Sequence, residues 1–136
     1  MMINKEDANI LIVDDIEDNR YTLERRLKRD GYTNIFTAEG GKIALEMAAD
    51  NKFDLILLDL MMPDMSGLEV LKHLKGDPMQ RSIPVIMVTA SDEVETAAEC
   101  IINGADDFIT KPFNGTLLKA RVGASLEKKR LRDTEE

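Results

Sequence analysis

The sequence predicts a doubly wound α/β domain in which five parallel strands alternate with five helices. Two observations carry that expectation. Short apolar runs recur along the chain, at 10–13, 35–36, 55–58, 85–88 and 108–109, three of them nearly continuous in Ile, Leu and Val. Each is too short for an ordinary helix and suits a strand buried on both faces. Amphipathic segments with helical spacing fill the intervals. Strand–helix alternation at this repeat builds a parallel sheet covered by helices on both sides.

The elements follow in order. The first strand ends in Asp14-Asp15, and the first helix, 18–28, sets Tyr21, Leu23 and Leu27 among charges. The second strand runs into Thr37-Ala38-Glu39. Gly40-Gly41 opens the second helix, 41–49, which carries Ile43, Ala44, Leu45, Met47 and Ala48. No G-x-G-x-x-G or P-loop pattern surrounds the glycine pair, so it is not a phosphate loop. The third strand ends in Asp59, and the third helix, 68–75, has Leu68, Val70, Leu71 and Leu74 with Ser66 as a cap. The fourth strand ends in Thr89-Ala90. The fourth helix, 93–103, repeats Val94, Ala97, Ala98, Ile101 and Ile102, and Asn103-Gly104 is a helix stop. The fifth strand leads to Lys111-Pro112, and the fifth helix, 115–131, is the longest. The common flavodoxin-like order for such a (βα)5 sheet, 2-1-3-4-5, makes strands one, three, four and five neighbours.

Composition bounds the function. The 136 residues suffice for one domain with a substantial core. With 26 acids against 18 bases the net charge is −8, the wrong sign for broad nucleic-acid binding. A single cysteine, Cys100, excludes an internal disulfide. No apolar run reaches membrane-spanning length, and the first residues lack the apolar stretch of a secretory signal. These features predict a soluble, cytoplasmic protein.

In open α/β sheets the site lies beyond the carboxyl ends of the strands. Asp14, Asp15, Asp59, Thr89 and Lys111 all fall there. Any one of them alone reads as a turn former or cap. Together they place three carboxylates, a hydroxyl and an ammonium at one edge. Three close carboxylates repel, and one lysine does not neutralise them, so a divalent cation is implied. All-oxygen ligands select a hard ion, Mg²⁺ with Mn²⁺ as a substitute, and the absence of a Cys/His cluster argues against zinc. A carboxylate beside a metal, an ammonium and a hydroxyl suits phosphoryl transfer through an aspartyl phosphate. Asp59 at the centre of the sheet is the nucleophile candidate, and the Asp14-Asp15 pair is better placed to hold the metal.

Four motifs in register then resemble one family. Val13-Asp14-Asp15 follows strand one, and Asp59-Leu60-Met61-Met62-Pro63-Asp64-Met65-Ser66-Gly67 follows strand three. Val88-Thr89-Ala90 follows strand four, Gly104-Ala105-Asp106-Asp107-Phe108 enters strand five, and Lys111-Pro112-Phe113 leaves it. The separations, 44 residues from Asp15 to Asp59, 30 to Thr89 and 22 to Lys111, agree as well. The chain resembles a receiver domain of two-component response regulators, related to the small chemotaxis receiver.

The resemblance implies roles. Asp59 would accept a phosphoryl group from a histidine kinase or a histidine phosphotransfer protein. Asp14, Asp15 and Asp59, with the backbone carbonyl of Met61, would bind Mg²⁺. Lys111 would pair with Asp59 and then with the phosphoryl group, and Thr89 would bond the phosphoryl oxygen. Phe108 would turn inward as Thr89 moves, and the Lys111–Pro112 peptide would be cis. The fourth helix, fifth strand and fifth helix would present the altered surface to an output domain or effector. A homodimer through that surface is a further arrangement the resemblance allows. Neither direct nucleic-acid binding nor membrane binding is expected.

Other features read as structural. Met61, Met62 and Met65 are expected to pack under their loop, His73 to be solvated and Cys100 to fill the core. Residues 1–126 form the receiver unit. Residues 127–136 extend the last helix and read as the start of a linker to an absent output domain. Along that helix Leu117, Ala124 and Leu131 recur every seven residues, too few repeats for a coiled coil. The competing enzyme, a Mg²⁺-dependent phosphatase with an aspartate nucleophile, needs a general acid two residues after Asp59, where Met61 stands. A flavodoxin-like cofactor site needs a phosphate-cradling loop after strand one, where Asp14-Asp15 would repel the anion.

Overall fold

The structure, a computed structural model, describes residues 4–135, with side chains through 133. Met1, Met2, Ile3 and Glu136, at the outer ends of the predicted receiver unit and helix extension, lie outside the described residues. The strands are β1 (Asn9–Val13), β2 (Asn34–Ala38), β3 (Leu55–Asp59), β4 (Val85–Ala90) and β5 (Asp107–Lys111). The helices are α1 (Glu17–Arg29), α2 (Gly41–Asp50), α3 (Gly67–Gly76), α4 (Val94–Ile102) and α5 (Gly115–Glu135), with a single 3₁₀ turn leading into α4. All strand pairs are parallel and the order is β2-β1-β3-β4-β5, as the sequence predicts.

Strand alternation divides the core in two. Ile10, Ile12, Leu55, Leu57, Ile86, Val88 and Ile109 face α1 and α5, meeting Leu23, Leu27, Leu118 and Val122. Leu11, Val13, Ile56, Leu58, Val85 and Met87 face α2, α3 and α4, meeting Ala44, Val70, Leu71, Leu74 and Cys100. The sheet is thus buried on both faces, which is why its strands read as unbroken apolar runs. β2 is an edge strand and mostly exposed. Its apolar signal therefore shrinks to Ile35 and Phe36, with Phe36 resting edge-on against Phe53 at 5.5 Å.

Helix ends obey local chemistry. α1 starts with Glu17 and Asp18 and finishes with Arg26, Lys28 and Arg29, matching its dipole. Ser66 caps α3 by accepting from the amide of Glu69 at 3.2 Å. Tyr21 departs from the expected apolar stripe of α1 and is exposed, leaving Leu23 and Leu27 to make the packing. α4 departs further. It buries only Ala97 and Cys100, while Val94, Ile101 and Ile102 face outward, Ile102 at 85% exposure.

α5 continues without a break past Leu126, and its end is bonded to the rest of the domain. Arg132 donates to the carbonyl of Ser82 at 2.9 Å and to Asp106 Oδ1 at 2.7 Å. Asp106 Oδ2 accepts from the amide of Val85 at 2.9 Å, so the end of α5 is joined to the starts of β4 and β5. Leu117, Ala124 and Leu131 all lie on the exposed side of α5. Among the described residues no helix is long and apolar enough to cross a membrane.

Candidate functional site

Register brings the polar strand ends together. Val13 pairs with Leu58, which sets Asp14 beside Asp59 one residue further along adjacent strands. Asp59 pairs with Val88, Thr89 with Thr110, and Ala90 with Lys111. One oxygen each from Asp14, Asp15 and Asp59 lies within 4.8 Å of the others. Lys111 Nζ donates to Asp59 Oδ1 at 3.0 Å and stands 3.4 Å from Asp14 Oδ2. The Lys111–Pro112 peptide is cis.

The two oxygens of Asp14 are used differently. Oδ1 accepts from the amide of Ile16 at 2.9 Å and from Asn19 at 3.4 Å, while Arg20 holds the backbone carbonyl at 2.8 Å. Oδ2 is buried and accepts no hydrogen bond, and its one charged neighbour is the Lys111 ammonium at 3.4 Å. One ammonium shared by two buried carboxylates leaves negative charge to be offset. Three hard oxygen donors within 4.8 Å of one another fit Mg²⁺. Asn19 and Arg20, which orient Asp14, escaped the sequence reading. They sit on α1 among many charges, and nothing in their spacing singles them out.

Electrostatics confirm crowding. Burial, and then the charge of Asp14, push the carboxyl of Asp59 up to about 6 against the opposing pull of Lys111. Burial alone would lower the ammonium of Lys111. The bond and charge of Asp59, with Asp14, outweigh it and hold Lys111 above its ordinary value. Both groups therefore meet in a partly dry place where a further charge is strongly felt.

Thr89 is fully buried, and its hydroxyl has no partner. By alternation it belongs with Val85 and Met87, on the face where Phe108 packs against the α2–α4 core. Arg121 on α5 covers Phe108 from outside. Its guanidinium lies 5.9 Å from the ring centre, and it donates to Asp107 Oδ1 at 2.7 Å and to the carbonyl of Phe108.

The 60–66 loop shapes the remaining wall. The amide of Gly67 donates to the carbonyl of Leu60 at 2.7 Å. A Cβ at Gly67 would fall 2.3 Å from the carbonyl oxygen of Asp59, so only glycine permits this return of the chain. Met62 and Met65 pack on the core as expected. Met61 does not; it is 62% exposed, because its place two residues after Asp59 lies at the open mouth of the strand ends. His73 is exposed and Cys100 buried, as expected.

A family model of the response regulator receiver domain matches residues 10–123, the span that carries every one of these groups. The chain belongs to that family. This receiver domain is 47% identical to Response regulator PleD of Caulobacter vibrioides over 115 residues, covering 85% of this chain and 25% of that one. It is 41% identical over 119 residues to the Alkaline phosphatase synthesis transcriptional regulatory protein PhoP of Bacillus subtilis, covering 88% and 48%. It thus spans from a quarter to about half the length of these two curated relatives. Among solved structures, the signal receiver domain of a putative Luxo repressor protein from Vibrio parahaemolyticus superposes with a TM-score of 0.86 at 34% identity, covering 95% and 97%. The chemotaxis protein CheY4 of Vibrio cholerae gives 0.80 at 31%, covering 87% and 98%. Two-component signalling through a receiver domain of the chemotaxis-receiver fold is therefore the setting of this site.

Proposed function

We propose that this receiver domain is a Mg²⁺-dependent phosphoacceptor switch. Asp59 Oδ attacks the phosphorus of a phosphohistidine on a histidine kinase or a histidine phosphotransfer protein. The new O–P bond forms as the N–P bond breaks, and the histidine leaves with the electron pair. Asp14, Asp15, Asp59 and the carbonyl of Met61 would hold the Mg²⁺, which when bound supplies charge neutralisation to phosphoryl oxygens. Lys111, bonded to Asp59 Oδ1, adds a second positive charge.

The observation that carries this reading is the cluster of Asp14, Asp15 and Asp59 oxygens, with the buried, unpartnered Thr89 Oγ1 at the same strand edge. The cluster suits a cation and the hydroxyl suits an incoming phosphoryl oxygen. A phosphoryl group adds about 1.5 to 2 negative charges at pH 7. That charge draws Thr89 toward it and leaves a space beside Phe108 on the same sheet face. Val94, Ile101 and Ile102 of α4 and Leu117 of α5 are exposed apolar side chains on the two helices that follow β4 and β5, and they support an α4–β5–α5 surface as the one an output domain, an effector or a second copy reads. Catalytic turnover on other substrates is not proposed, since Met61 cannot serve as the general acid of an aspartate phosphatase.

The test is direct. Incubation with Mg²⁺ and acetyl phosphate, followed by intact mass, is expected to add one phosphoryl group that Asp59→Ala does not acquire. A full adduct on Asp59→Ala would overturn the assignment of the acceptor.

A further inference from the structure

The Gly40-Gly41 pair and Asp64 meet across the sheet end, although 23 residues separate Gly41 from Asp64. α2 has no capping side chain of its own, since its N-cap is Gly40, and its first turn carries no acid. Asp64 supplies the cap from the 60–66 loop. Its Oδ1 accepts from the amide of Gly41 at 3.1 Å and its Oδ2 from the amide of Lys42 at 3.0 Å. Both oxygens of one carboxylate are thus spent on the open end of a neighbouring helix.

Close packing makes the contact selective. A Cβ at residue 40 would stand 2.9 Å from each Asp64 oxygen, and one at residue 41 would stand 2.7 Å from Val70 Cγ2 and 2.8 Å from Met65 Cβ. Side chains at those places would hold the loop away. The glycine pair lets the loop reach the helix, and Asp64 then fastens it. The amides of Lys42 and Gly41 keep the carboxyl of Asp64 below its usual range, so it remains charged near neutrality. The same loop begins one residue after Asp59 and contains Met61, the backbone ligand proposed above. Its far end is closed by Gly67 on Leu60. Between those two points Asp64 ties the loop to a different element by two hydrogen bonds.

We propose that Asp64 is a positioning residue for the metal-binding loop: by capping α2 through the amides of Gly41 and Lys42 it fixes residues 60–66 and with them the carbonyl of Met61. The inference rests on the Mg²⁺ reading above, and it concerns a residue that does not touch the cation. Without Asp64 the loop must be ordered at the moment of binding, and that ordering subtracts from cation affinity.

The experiment compares wild type, Asp64→Ala, Asp64→Asn and Asp77→Ala. The last removes a loop bond of similar kind, to the amide of Met79 at 2.8 Å, from the opposite end of the sheet. Mg²⁺ affinity is measured by calorimetry, and backbone exchange of residues 61–65 is followed in metal-free protein. Asp64→Ala is expected to weaken Mg²⁺ about fivefold and to speed loop exchange by a similar factor, the equilibrium weight of one helix cap. The phosphorylation rate from acetyl phosphate at saturating Mg²⁺ should stay within about twofold, because loop order limits binding rather than chemistry. Asp64→Asn, which keeps an acceptor, should recover most of the loss, and Asp77→Ala should leave Mg²⁺ affinity unchanged. Unaltered affinity and exchange in Asp64→Ala would overturn the proposal, and so would an equal loss in Asp77→Ala. Failure of wild type to bind Mg²⁺ would count against the Mg²⁺ reading instead, and the exchange comparison would still decide whether Asp64 orders the loop.

Discussion

Lys111 Nζ stands between two carboxylates, 3.0 Å from Asp59 Oδ1 and 3.4 Å from Asp14 Oδ2. It occupies one side of the acid cluster in which a cation would sit, so it opposes the cation and assists the phosphoryl group. Removing it should separate those effects. Lys111→Ala is expected to bind Mg²⁺ more tightly than wild type, because a like charge has gone. Its phosphorylation by acetyl phosphate should slow about a hundredfold, the usual loss when one preorganised charge is taken from a transferring group. Calorimetry and time-resolved intact mass check the two halves.

Asp59 makes the metal-free protein sensitive to pH. An unfolded chain releases this proton near the ordinary value of about 4, whereas the folded protein keeps it until about 6. Between those values the folded state binds the extra proton, so stability falls as pH rises through that window. Asp59→Asn removes the effect. A shift of roughly two units corresponds to a gain on the order of 2–3 kcal/mol at pH 7 at most, shrinking toward zero below pH 4. Urea unfolding of both proteins across pH 3.5–7.5 without metal measures it.

The phosphorylated form should be long-lived. Met61 lies two residues after Asp59 and Ser91 two after Thr89, and both are exposed. Neither can hold an attacking water with a carboxylate or an amide. Met61→Glu is expected to speed loss of the phosphoryl group by about tenfold or more, the low end of what a positioned base contributes. The decay of purified phosphoprotein, followed by intact mass, gives the answer.

Arg132 ties the end of α5 to Asp106 and to the carbonyl of Ser82. Asp106 has a buried side chain, so Arg132→Ala leaves a carboxylate short of its ion pair. The expected cost is about 1–2 kcal/mol in global stability, with faster amide exchange at 129–133 and little change at Asp59. Urea titration and exchange mass spectrometry test both statements.

The strand ends were legible because burial on both faces leaves only apolar residues inside a strand, so Asp14, Asp59 and Thr89 stand out where the apolar run stops. Lys111 was legible by its place after the fifth run. Tertiary partners were not. Asp64 looks like a turn residue until α2 is seen beside it, and Arg132 belongs to a charge run that reads as a solvated helix end. Met61 was expected beneath its loop with Met62 and Met65, and the sequence offers no means of telling which of three methionines faces out. On α4 the isoleucines carried the helical period, yet the packed residues are Ala97 and Cys100, because close approach to the sheet there favours small side chains.

Asp14, Asp59 and Lys111 come from three different strands that meet only when β1, β3, β4 and β5 are all paired in register. No fragment of the chain, and no partly zipped sheet, presents the complete set. Binding energy from a divalent cation would thus be withheld until the last of these pairings forms. In stopped-flow experiments Mg²⁺ should lower the unfolding limb of the chevron and leave the refolding limb nearly where it was. The ion would then act as a lock on the finished protein, with no part in guiding it there.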